Sequence, residues 1–91
     1  MFKTKNGFIH RKIAGNDVLI SVGKNIANFN GYVELNPSAL VLWNRLKAGA
    51  EKEELIQQLI DTYGLDEARA CKDVEAFLGE LLSHDMIEEL A

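Results

Sequence analysis

The chain is poor in the residues that staple a small fold or carry its chemistry: 91 residues hold one cysteine, one proline and two histidines. A lone Cys71 excludes an internal disulfide, so the core alone must hold the fold. His10 and His84 stand far apart and outside any HExxH or Cys/His ligand spacing, which argues against a metal centre. No glycine-rich phosphate loop is present and no pair of carboxylates is set apart for acid–base work. Cys71 falls on an apolar helical stripe, where a thiol behaves as a small buried hydrophobe. The expectation is a non-enzymatic protein without cofactor or metal. Long apolar runs and a signal-like N-terminus are missing too, so no membrane partner is expected and the cytoplasm is the expected compartment. Basic charge is scarce: ten Lys and Arg against fourteen Asp and Glu leave a formal charge of -4. That field repels nucleic-acid phosphates unless a local basic patch overrides it, and none is evident.

What is present reads as one globular domain spanning 1–91, with 47% hydrophobic and 26% charged residues. Phe8 to Ile13 and Asp17 to Val22 read as two strands around a Gly15-Asn16 turn. That tip opposes Ile13 to Val18, Arg11 to Ile20 and Ile9 to Val22 on a face that looks inward, Arg11 excepted, and sends Lys12, Leu19, His10 and Ser21 outward. Gly23 to Asn30 is polar and asparagine-rich and reads as a loop. In Gly31-Tyr32-Val33-Glu34-Leu35-Asn36-Pro37 a half-buried strand runs straight into a helix, with Asn36 at the N-cap and Pro37 at N1.

Leu40, Trp43 and Leu46 recur at helical spacing, with Trp43 read as core, and Gly49 ends this first helix. The second runs from Glu51 to Tyr63, with Ala50 as a weak cap, Tyr63 at the end of its apolar stripe and Gly64 as the stop. Asp66 caps the third, whose stripe of Cys71, Val74, Phe77, Leu78, Leu81 and Leu82 runs towards His84, followed by a frayed end. The fold class is α+β: a three-stranded antiparallel sheet followed by three helices, in a winged helix-turn-helix-like arrangement. The third strand of such a sheet pairs with one neighbour and leaves its other edge free. Phe77 and Leu81 would then bound an apolar groove beside that edge, a device for binding a peptide by strand addition.

The block from Gly31 to Asn36, then Ala39 and Trp43, Leu55-Ile56, Tyr63-Gly64, Val74, Phe77-Leu78 and Leu81-Leu82 resembles the PqqD family. These are the pyrroloquinoline quinone biosynthesis D proteins, or recognition elements for the precursors of ribosomally synthesised, modified peptides. The similarity runs from about Phe8 to Ile87; Pro37 and Ala50 depart from the pattern, away from the proposed groove. The resemblance implies a non-catalytic adaptor that binds the leader segment of a precursor peptide and presents it to a modifying enzyme, of the radical SAM class. It implies peptide-binding positions at Asn30, Gly31, Tyr32, Val33 and Glu34 on the strand and Val74, Phe77, Leu78 and Leu81 on the helix. The alternative is a winged-helix DNA-binding regulator, which needs a basic third helix; Arg69 and Lys72 are its only basic residues, against Asp66, Glu67, Asp73, Glu75 and Glu80. A homodimer joined through strand edges is compatible with the peptide reading.

Overall fold

The computed structural model of the protein describes residues 1–21 and 32–90. In chain order these form β1 (Phe2–Thr4), β2 (Phe8–Ile13), β3 (Asn16–Ser21), β4 (Tyr32–Leu35), α1 (Pro37–Lys47), α2 (Lys52–Tyr63), α3 (Glu67–Ser83) and β5 (Ile87–Glu89). The expected α+β order of three antiparallel strands followed by three helices is present as β2-β3-β4 and α1 to α3. The loop expected over Gly23 to Asn30, together with Gly31, lies outside the described residues.

The hairpin departs from its expected register. Its tip is Ala14-Gly15, with φ of 52° and 84°; two successive positive φ values match the right-handed twist of the flanking strands. Ile13 therefore opposes Asn16, Arg11 opposes Val18 and His10 opposes Leu19. The face packed on the helices is also the reverse of the one expected, although Val18, expected inward, is itself buried at 3% exposure outside the main core cluster. Leu19 pairs with Val33 and Asp17 with Leu35, and Leu19 and Leu35 belong to the core while Ile13 is 52% exposed. β4 explains the choice: Leu35 directly precedes a helix packed on the sheet, so its face, and every residue in register with it, turns inward. His10 lies on that face and meets Asp17 at 2.8 Å, a half-buried polar pair at the margin of the core.

The junction from β4 to α1 is as expected. The Asn36 side chain accepts the Ala39 N–H at 2.8 Å and the Ser38 hydroxyl at 3.0 Å, and Pro37 starts the helix. Leu42, Trp43 and Leu46 are buried, and the Trp43 ring meets Phe8 edge to face with centroids 6.4 Å apart. α2 corrects the expected cap: Glu51, not Ala50, holds the N-cap position, and the Glu54 carboxylate accepts the Glu51 N–H at 2.9 Å. Ala50 is instead fully buried and exchanges two backbone hydrogen bonds with Phe2. Gly64 ends the helix with φ 66°, a conformation that costs a non-glycine residue strain. Tyr63, at the end of the apolar stripe, is 42% exposed. Asp66 caps α3 as expected, accepting the Arg69 N–H at 2.7 Å.

The C-terminal end, expected to fray, is ordered as a strand. Residues after α3 form β5, which pairs antiparallel with β1 through Phe2↔Glu89, Lys3↔Glu88 and Thr4↔Ile87. Met86 and Ile87 are buried beside the helices, and Lys5 forms an ion pair with Asp85. Neither strand is visible as a pattern, because three residues are too short for period-two alternation to stand out. Their burial comes from tertiary contact.

Cys71, expected as a small buried hydrophobe, also differs. It is half-exposed, and its thiol donates to the Glu75 carboxylate at 3.0 Å, which also accepts from Lys52 of α2 at 3.0 Å. The hydrogen bond to Glu75 is the main cause holding the thiol above its ordinary pKa, with desolvation second. The same two hydrogen bonds, from Cys71 and then Lys52, hold the Glu75 carboxyl below its ordinary range. Glu75→Gln should therefore lower the thiol pKa and speed its alkylation by iodoacetamide between pH 7 and 8; an unchanged rate would show that Glu75 does not hold the proton. For the sheet face, Leu19→Ala should cost about 2–5 kcal/mol in urea unfolding and Ile13→Ala under about 1 kcal/mol. An inward face formed by Ile13, Val18 and Ile20 requires the opposite ranking.

Candidate functional site

The site begins with β4, which pairs with β3 on one side only. Its register puts Val33 and Leu35 on the face towards the helices and Glu34 on the opposite face. Among the described residues no strand pairs with its second edge, leaving main-chain donors and acceptors there unmatched by sheet. The capped start of α1 fixes one end of this edge, because Asn36 leaves β4 and enters the helix without a linker.

Between that edge and α3 lies an open cleft of about 380 Å³. Val33 and Glu34 form the β4 wall, Asn36, Ser38 and Ala39 the end at α1, and Leu42 and Leu59 the floor. The opposite wall is one face of α3, formed by Arg69, Asp73, Ala76, Phe77 and Glu80. These positions recur at the i, i+4, i+7, i+8 spacing of one helical face. A buried stripe lies one residue further on: Ala70, Val74, Leu78 and Leu81 all point into the core. A step of one residue rotates a helix by about 100°, so the two stripes are neighbouring faces of α3.

The expected site residues separate along that boundary. Val33, Glu34 and Phe77 line one cleft, and Tyr32 belongs to the strand that bounds it. Asn30 and Gly31 lie outside the described residues. Val74 and Leu81 are 0% exposed and Leu78 is 5% exposed, so they support the helix from the core and leave Phe77 as the expected helix residue facing the cleft. Asp73, Ala76 and Glu80 are not found from the sequence, because an apolar stripe does not include them. The usable signal was geometric: with Phe77 on the cleft, residues four before and three after it must share its face. Leu82, grouped with the apolar stripe, is 44% exposed on another side of the helix.

Chemically, the cleft offers an apolar base, a polar rim and a strand edge. Its charged groups are Glu34, Arg69, Asp73 and Glu80, and Arg69 and Asp73 form an i,i+4 ion pair at 3.3 Å. Among the described residues no group of three or more His, Cys, Asp or Glu side chains could hold a metal ion. No helix there is long and apolar enough to cross a membrane.

No curated protein matches the chain. Its fold is similar to two solved structures. TbiB1 in complex with the TbiA(beta) leader peptide superposes with a TM-score of 0.76 at 21% identity, covering 98% of each chain. Lasso peptide synthetase B1 complexed with the leader peptide gives a TM-score of 0.75 at 22% identity, over 97% of this chain and 98% of that one. A family model, Coenzyme PQQ synthesis protein D (PqqD), matches residues 18–87, from β3 to the start of β5. With the family pattern running over the strand edge, the capped junction and all three helices, the chain belongs to the PqqD family.

Proposed function

We propose that the chain is a non-catalytic adaptor that binds the leader segment of a ribosomally made precursor peptide as an added strand on β4. The observation that carries this reading is the unpaired β4 edge beside a cleft whose far wall includes Phe77. An extended peptide laid along Tyr32 to Glu34 would satisfy the edge by main-chain hydrogen bonds, which are indifferent to sequence. Alternate side chains would enter the cleft against Val33 and Phe77 and supply selectivity. The two structural neighbours are complexes with leader peptides, which supports the same class of ligand here. Asn30 and Gly31 extend the proposed strand contact on the family resemblance. The bound precursor would then be presented to its modifying enzyme, and the resemblance puts a radical SAM enzyme in that role.

Charge opposes the duplex-DNA reading. On α3, Arg69 and Lys72 stand against Glu67, Asp73, Glu75 and Glu80, and Arg69 is already engaged by Asp73. Pairing of β4 edges between two copies would compete with peptide for the same main-chain groups, so any homodimer formed this way should dissociate as peptide is added.

Isotope-labelled protein titrated with candidate leader peptides should shift chiefly at Tyr32 to Leu35 and at Asp73 to Glu80. Binding that leaves β4 amides unperturbed would overturn strand addition. Phe77→Ala should weaken binding about tenfold or more, the loss of one apolar anchor, while Leu82→Ala should leave it within about twofold.

A further inference from the structure

The cleft carries an uneven charge. Among the described residues that line it, Glu34, Asp73 and Glu80 are acidic and Arg69 alone is basic. Arg69 Nε is held 3.3 Å from Asp73, one turn along the same helix. Glu34 and Glu80 are exposed, and neither carboxylate forms an ion pair among the described residues. Among the described residues two unpaired anions thus border the strand edge, Glu80 on the α3 wall of the cleft and Glu34 on the opposite face of β4.

We infer that the cleft selects extended peptides that carry Lys or Arg within two residues of the apolar side chain entering beside Phe77. This rests on the strand-addition reading above and adds the charge pattern of the ligand. The pleat supplies the geometry. Side chains two residues from the anchor point the same way and lie about 6.6–6.8 Å along the strand. Glu80 stands three residues along α3 from Phe77, a rise of about 4.5 Å, so a long cationic side chain at that position can meet it. Residues one step from the anchor turn to the other face of the sheet, where Glu34 projects from β4. A carboxylate at either ligand position would meet like charge and be disfavoured. Two exposed pairs of this kind are worth between about twofold and thirtyfold in affinity together, and salt screens them.

The test is selection of a display library of random 12-residue peptides on the protein at low ionic strength. Enriched sequences are synthesised, mapped by amide shifts on the labelled protein, and compared with versions in which Lys and Arg are replaced by Gln. Expected are peptides that perturb Tyr32 to Leu35, carry Lys or Arg within two residues of an apolar anchor, and lose that preference on the Glu34→Gln/Glu80→Gln double variant and in about 0.5 M salt. Peptides that add to β4 without such a charge pattern would overturn the inference and leave strand addition standing. Basic peptides that bind the double variant equally well would overturn it too, assigning the attraction to net charge. If no selected peptide perturbs β4, strand addition itself fails and the inference falls with it.

Discussion

The arrangement depends on the junction at Asn36. Its side chain accepts the Ala39 N–H, so β4 ends and α1 begins within one residue, and the strand cannot rotate without uncapping the helix. Leu35, just before the cap, is buried. That orients Val33 inward two residues earlier and, through the sheet register, Leu19 and His10 as well. The chain then leaves the sheet for the helical layer, and β4 keeps an edge unpaired among the described residues. A rigid strand with an open edge costs little ordering when a ligand strand is added, since half of the new pairing is already in place.

α3 serves two surfaces at once. Its Ala70, Val74, Leu78 and Leu81 close the core, and the face one residue behind them forms the cleft wall. Each cleft residue is therefore locked in position by a core neighbour in the chain. Phe77 sits between the two, half-buried and packed against the core cluster while lining the cleft. The β1–β5 ladder adds a second restraint, joining the two described ends of the chain and, through the Phe2–Ala50 bridge, the turn between α1 and α2. The helices that form the cleft are thus fixed by backbone pairing at the far end of the domain as well as by packing.

Polar groups outside the cleft serve mainly as links between elements. Lys52 and Glu75 join α2 to α3, with Cys71 on the same carboxylate; Arg45 pairs with Glu54 across the α1–α2 turn; and His10 meets Asp17 across the hairpin. The exposed pairs among them, Lys52–Glu75 and Arg45–Glu54, contribute little individually. Glu34 and Glu80 differ in having no such partner among the described residues, and both line the cleft.

Local chemistry made the caps at Asn36 and Asp66, the stops at Gly49 and Gly64, the three helices and the burial of Trp43 legible, because each depends on residues within one or two turns. The strand-helix block also carried the family resemblance. The hairpin register was not legible, because Ala14-Gly15 and Gly15-Asn16 are both plausible two-residue tips and a shift between them changes every cross-strand partner. Nor was its inward face, since Ile9, Val18 and Ile20 are as apolar as Leu19; only packing of the helices behind Leu35 decided it. The same holds at the site. Helical periodicity marked Val74, Leu78 and Leu81 as one apolar stripe, and the sequence by itself determined that α3 would bury it. That Asp73, Phe77 and Glu80 face an open strand edge was decided by tertiary structure, because a cleft is made by two elements distant in the chain and leaves no periodic trace in either.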